Sequence, residues 1–204
     1  MTKQEKLAEL MKQPRMGANS KLHNENTVDG LIELCKEIPD SENKIMLEIG
    51  SFIGVSTEVF ALNFKHVTAV DVWGLDATYN EANWCMESSG MTWEQVKERC
   101  AARLAPYKST LIQEYSTVAS KNFPDKSFDF IYIDGFHAKV EEDIVHWFPK
   151  VKDGGFIGGH DYDQIESILR KMCFMKKLNK TSSIVNFDMS SIKTFSDTSW
   201  LTRV

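Results

Sequence analysis

The sequence predicts a doubly wound α/β fold, with a mostly parallel sheet, helices on both faces and an antiparallel last strand. Three observations carry this. Short apolar runs of four to seven residues alternate with helical stretches, the pattern of strands buried on both faces and joined by right-handed crossovers. The first run ends in a glycine turn that opens directly into a helix, in KIMLEIGSFIGVSTEVFAL (44–62). The tail, SSIVNFDMSSIKTFSDTSWLTRV, is β-rich without a second crossover helix, so two strands are expected to pair there through a short turn near Asp188 to Ser191.

Taken in order, residues 1–26 are polar, with QPRMGANSKLHNEN read as an arm or loop, and 27–204 as one domain. Val28, Leu31, Ile32, Leu34 and Cys35 recur at helical spacing, which predicts a helix over Thr27–Glu37. The strand IMLEIG follows the loop IPDSENK, and Val55–Leu62 reads as a helix. Strands are expected at HVTAVDVW, STLIQEYS, FDFIYIDG and GGFIGGHD, with helices at Thr92–Leu104 and Val140–Phe148. The stretch 74–93 is long for a simple connection and carries Tyr79, Trp84 and Trp93, which suits a lid or substrate wall. The basic run RKMCFMKK, with Met175, reads as a solvated helix face.

Composition excludes several classes. The 204 residues carry a net charge of −5, so a broad phosphate-binding face, and with it nucleic acid as partner, is not expected. No apolar run approaches the roughly 18 residues of a membrane span, and the N-terminus lacks a signal-peptide core. Cys35, Cys85, Cys100 and Cys173 form no CxxC pair, the usage of reduced thiols in a cytoplasmic protein.

The glycine turn is spaced Gly50-x-x-x-Gly54, not as the G-x-G-x-x-G of a dinucleotide site. Gly50 lets a ligand approach the main chain. Asp71 ends the next strand, 21 residues on, where an acidic side chain can accept from both hydroxyls of a ribose. Together they indicate a nucleoside. The missing third glycine and the acidic Glu48 argue against a pyrophosphate. S-adenosylmethionine has no phosphate, and its ammonium and sulfonium suit acidic, carbonyl-rich surroundings.

With MLEIGSFIGVST, VTAVDVW, FDFIYIDGFHAKVEEDIVHWFPKVKDGGFIGGHDY and the hairpin tail, the chain resembles the class I S-adenosylmethionine-dependent methyltransferases. Within them it is similar to the small IDGxH…GHDY subgroup, which includes metal-dependent sugar O-methyltransferases. The resemblance covers roughly residues 44 to 162 and implies a seven-stranded sheet with methyl transfer as the activity. It implies cofactor contacts from Glu48, Gly50, Ser51 and Gly54 around the methionine part, Asp71 at the ribose, and Tyr115 and Ser116 at the adenine. Asp134 matches the acidic residue ending the fourth strand and is implied as a cofactor contact as well. At Glu114-Tyr115-Ser116 the chain departs from the family's usual small-acidic-Ser pattern.

Two strand ends carry polar clusters, Asp134-Gly135-Phe136-His137 and His160-Asp161-Tyr162. Carboxylates converging from neighbouring strand ends can hold a hard divalent cation such as Mg²⁺, which lowers the pKa of an acceptor hydroxyl. The expected catalytic residues are Asp134, Asp161 and His137, with His137 as general base. The expected metal ligands are Asp134, Asp161 and His160. A further acidic ligand known in the subgroup has no clear match, with Asp76 and Glu81 among the alternatives left open. His23, His66 and His146 are read as structural. The function expected is O-methylation of a small-molecule or sugar hydroxyl, with a homo-oligomer left open. The competing readings are a non-catalytic cofactor-binding scaffold, an NAD reductase and an aminopropyl transferase. No N-P-P-Y type base-methylation motif is present.

Overall fold

A computed structural model describes residues 1–13, 28–75, 90–177 (174–177 as backbone only) and 188–204. Five strands alternate with helices along the chain: β1 Ile45–Ile49, β2 His66–Asp71, β3 Ser109–Gln113, β4 Phe128–Ile133 and β5 Val151–Gly159. Two short strands follow, β6 Lys193–Thr194 and β7 Trp200–Arg203. They form one sheet in the order β3-β2-β1-β4-β5-β7-β6. β1 to β5 pair in parallel, and β7 runs antiparallel between β5 and β6. This is the doubly wound sheet with an antiparallel last strand that the sequence predicts. The turn that joins β6 to β7 lies at Phe195–Ser199, later than Asp188–Ser191, where Met189–Ser191 form a 3-10 turn. Asp197 accepts from Ser199 N and Oγ, and Thr198 takes φ +65°, which closes the chain at the later position. The strand expected over SSIVNF lies outside the described residues.

The helices are α1 Lys3–Leu10, α2 Asp29–Lys36, α3 Val55–Asn63, α4 Trp93–Leu104, α5 Ser116–Ala119, α6 Val140–Trp147 and α7 Tyr162–Lys177. Strand alternation sorts side chains onto the two faces. Met46, Val67, Ala69, Phe130 and Tyr132 pack with Leu31, Leu34, Val59, Phe60, Val96 and Leu104 of α2, α3 and α4. Leu47, Ile49, Ile131, Ile133 and Ile157 pack with Val140, Ile144, Trp147, Ile165 and Leu169 of α6 and α7. A capping box at Thr92 and Gln95 starts α4.

The polar N-terminal stretch contains a helix that the arm-or-loop reading did not include. Thr2 and Glu5 form a capping box that starts α1, and Leu10 is fully buried. Glu58, on α3, binds it to the body. Its buried carboxylate receives Arg103 Nη1 at 2.6 Å and Tyr107 OH at 2.9 Å, with Lys6 Nζ at 3.4 Å. Arg103 Nη2 also reaches Gln13 Oε1 at 3.1 Å. Residues 14–26 of the expected arm, His23 included, lie outside the described residues, as do Asp76, Tyr79, Glu81, Trp84 and Cys85. The side chain of Met175 does too. No helix among the described residues is long and apolar enough to cross a membrane.

Candidate active site

Because β1 to β5 are parallel, their carboxyl ends share one edge, and the strand order reverses at β1 and β4. Such a switch point opens a crevice. Gly50 sits in it at φ +85°, donating to Val70 O at 2.9 Å. A Cβ on Gly50 would lie 2.1 Å from Asp134 O, so only glycine lets the two strand ends approach this closely. Gly54 has another task. At φ +81° it begins α3, and a Cβ there would meet Cys100 Sγ of α4 at 2.9 Å.

Glu48 is fully buried on the α3 side of β1, where Thr57 Oγ1 donates to its Oε2. Ser51 is buried, and its Oγ has no hydrogen-bond partner among the described residues. Asp71 is committed to the backbone. Its Oδ2 accepts from Phe52 N and its Oδ1 from Trp73 N, each at 2.8 Å. Phe52 and Trp73 both have positive φ, +46° and +35°, and Trp73 Nε1 donates to Phe52 O at 2.9 Å. The carboxylate thereby pins two strained turns against each other. Burial pushes the Asp71 carboxyl up from its ordinary value, opposed by the amides of Trp73, Phe52, Ser51 and Val72. Trp93, from the expected lid, opens α4 and packs edge-on against Phe52 at 6.3 Å.

Tyr115 and Ser116 follow β3 at the start of α5, and Tyr115 is exposed. The Ser116 hydroxyl accepts from Trp147 Nε1 at 2.7 Å. It also bonds Asp143, a buried carboxylate on α6 that lies beneath Gly135. Burial pushes the Asp143 carboxyl up to about 6, against the bond from Ser116.

The β4 and β5 ends bring together the four polar residues singled out in the sequence. Ile133 pairs with Gly159, so Asp134 and His160 extend adjacent strands. Asp134, His160 and Asp161 can each turn one ligand atom to within 4.8 Å of the others. His160 Nδ1 lies 3.1 Å from Asp161 Oδ2 and 3.6 Å from Asp134 Oδ1. His137 Nε2 lies 2.7 Å from Asp161 Oδ2. Asp161 takes φ +53°, which turns its side chain from α7 towards both histidines. Burial works against its charge, but hydrogen bonds from His137 and His160 outweigh that and hold the carboxyl well below the usual carboxylate range. Two carboxylates and an imidazole are a chemically suitable set for a divalent cation that accepts oxygen and nitrogen.

A family described as methyltransferase domain matches residues 47–162, more than half of the chain, from β1 through the His160-Asp161-Tyr162 end of β5. The chain belongs to this methyltransferase family. Solved structures share its fold. One is a candidate caffeoyl-CoA O-methyltransferase from Staphylococcus aureus, 20% identical, with a TM-score of 0.52 over 85% of this chain and 82% of that one. Another is phosphoethanolamine N-methyltransferase 1 of Haemonchus contortus, in complex with phosphoethanolamine and S-adenosylhomocysteine. It is 16% identical, with a TM-score of 0.51 over 78% of this chain and 31% of its own. An S-adenosylmethionine-dependent O-methyltransferase from Thermotoga maritima is 14% identical, with a TM-score of 0.50 over 70% of this chain and 48% of its own. This methyltransferase thus spans about a third of the Haemonchus enzyme and about half of the Thermotoga one. No protein of curated function matches its sequence.

In this methyltransferase the sequence reading missed Thr57, Phe52, Trp73, Asp143 and Thr198. Asp143 had a signal: it shares the stripe Val140, Ile144, Trp147 and so had to be buried. Thr198 had none, because its partner His160 is 38 residues away. Cys35 and Cys100 are buried free thiols, and burial pushes both up, which makes them inert.

Proposed function

We propose that the chain transfers a methyl group from S-adenosylmethionine to a hydroxyl of a small molecule or sugar, with help from a divalent cation. One observation carries this reading: Asp134, His160 and Asp161 converge at the carboxyl edge, with His137 on Asp161 and the Gly50 turn alongside. The crevice suits the cofactor. The unpartnered Ser51 Oγ offers a hydrogen bond to a ligand, and the surroundings are acidic rather than a phosphate cradle. Asp71 ends β2 beside the Gly50 turn, and a ribose hydroxyl there would share a carboxylate already held by the amides of Phe52, Trp73, Ser51 and Val72.

Asp134, His160 and Asp161 would hold the cation, which when bound supplies positive charge that makes an acceptor hydroxyl easier to deprotonate. The imidazole in the set favours Mn²⁺ beside the Mg²⁺ read from the carboxylates. His137 takes the hydroxyl proton. With its Nε2–H donated to Asp161, basicity falls on Nδ1, and the charge that develops on the ring is stabilised by the ionised Asp161. The acceptor oxygen forms its bond to the methyl carbon as the carbon–sulfur bond breaks, leaving S-adenosylhomocysteine. Thioether product and neutral sulfur need no acid.

Calorimetry with S-adenosylhomocysteine and NAD, followed by labelled methyl transfer to a panel of sugars and phenols with chelator or Mn²⁺, tests the reading. S-adenosylhomocysteine should bind and NAD should not. Transfer should stop in chelator and return with Mn²⁺ or Mg²⁺. Full transfer in chelator would reject the cation and leave His137 as the base.

A further inference from the structure

We propose that Thr198, in the β6–β7 turn, is a positioning residue whose hydroxyl holds the His160 ring with Nδ1 turned towards Asp134 and Asp161. The proposal rests on the cation reading above. His160 is nearly enclosed, its side chain 9% exposed, and Thr198 Oγ1 lies 3.4 Å from its Nε2. The opposite ring nitrogen, Nδ1, is the one that faces the two carboxylates. The same turn also grips the next residues of the site, because Tyr162 N donates to Thr198 O at 3.0 Å.

The turn is anchored from behind. Asp197 bonds Ser199 N and Oγ, each at 3.0 Å, and Tyr132 OH on β4 lies 2.7 Å from Ser199 Oγ. Asp197 packs so closely on α2 that a Cβ on Gly30 would lie 1.9 Å from its Oδ1. Thr198 itself is at φ +65°. A β-branched residue is strained there, and glycine or asparagine would meet the backbone need without that strain. The hydroxyl is what threonine adds.

A hydroxyl is suited to this position because it both donates and accepts. Without a cation, Nδ1–H donates to Asp161 and Nε2 accepts from Thr198. When Nδ1 gives its lone pair to a cation, the neutral ring carries its one proton on Nε2, and the hydroxyl turns to accept it. A backbone carbonyl could serve only the second state. Holding the outer nitrogen of a ligand histidine fixes the ring and raises its basicity.

Mn²⁺ titration of the purified chain, followed by electron paramagnetic resonance, tests this alongside thermal melting. Thr198→Gly relieves the strained backbone and removes the hydroxyl. It should melt at or above the wild-type temperature yet bind Mn²⁺ about 10- to 100-fold more weakly. Thr198→Val should show the same loss with the branched shape kept, and Thr198→Ser should bind as the wild type does. Wild-type Mn²⁺ affinity in the glycine and valine variants would overturn the role of Thr198 alone. Equal losses in the serine variant would do so too. A wild-type chain that binds S-adenosylhomocysteine but no Mn²⁺ would overturn the cation reading, and this proposal with it.

Discussion

Replacing Asp143 with asparagine should stabilise the protein at neutral pH, although it removes a charge bonded to Ser116. Asp143 is 3% exposed, behind the loops that follow β3 and β4. Its carboxyl is raised from 3.8 to about 6 by burial, with Ser116 and Lys139 opposing and Glu142 adding to the rise. A shift of about two units at about 1.4 kcal/mol per unit is on the order of 3 kcal/mol. The sign follows from which state keeps the proton. Between the two values the folded chain holds a proton that the unfolded chain has released, so stability is full below the ordinary value and falls as pH rises through about 6. The asparagine amide would mimic the protonated carboxyl and still accept from Ser116, so the variant lacks that loss. Urea unfolding of both proteins across the acid-to-neutral range measures it. The variant should match the wild type at the acid end and exceed it by up to about 3 kcal/mol above the raised value. A difference that does not change with pH, or a variant destabilised at neutral pH, would refute the argument that burial penalises this charge.

Three other outcomes follow from the site. Asp71→Ala should weaken S-adenosylhomocysteine binding by about 1.5–3 kcal/mol in calorimetry, and should also lower the melting temperature, because the amides of Phe52 and Trp73 lose their acceptor. A lower affinity with unchanged melting would show that the carboxylate does not anchor the two turns. Gly50→Ala should cost about 2–4 kcal/mol in urea unfolding, from a left-handed alanine and a methyl forced against Asp134 O. His137→Ala should lower turnover by about 10²–10⁴ at neutral pH while S-adenosylhomocysteine affinity holds. Wild-type turnover in that variant would remove the base.

The strand and helix alternation was legible because β1, β2 and β4 are short apolar runs buried on both faces, and each long helix carries a periodic stripe. Local rules also placed Gly50, whose positive φ and lack of a Cβ are both used. Where reading failed, the decisive contacts were long-range or the local signal was passed over. The capping box at Thr2 and Glu5 was visible, but its helix has few apolar residues and is held by Glu58 and Arg103, far along the chain. The β6–β7 turn lies at Phe195–Ser199 because Asp197 accepts from Ser199 N and Oγ there, although Asp188–Ser191 carries turn-forming residues as well.

The residue order alone carried the alternation of strands and helices from β1 to β5, the glycine turn and the identities of Asp134, His137, His160 and Asp161, because these follow from periodicity, from steric freedom and from motifs read along the chain. How those groups meet was set by the folded arrangement. Parallel pairing of β4 with β5 places Asp134 beside His160, and the left-handed backbone at Asp161 turns one carboxylate to both histidines. It also decided that Asp71 spends two lone pairs on its own backbone and that Thr198 reaches His160. Side-chain chemistry is written residue by residue, but distance between residues remote in sequence is set by sheet register and packing.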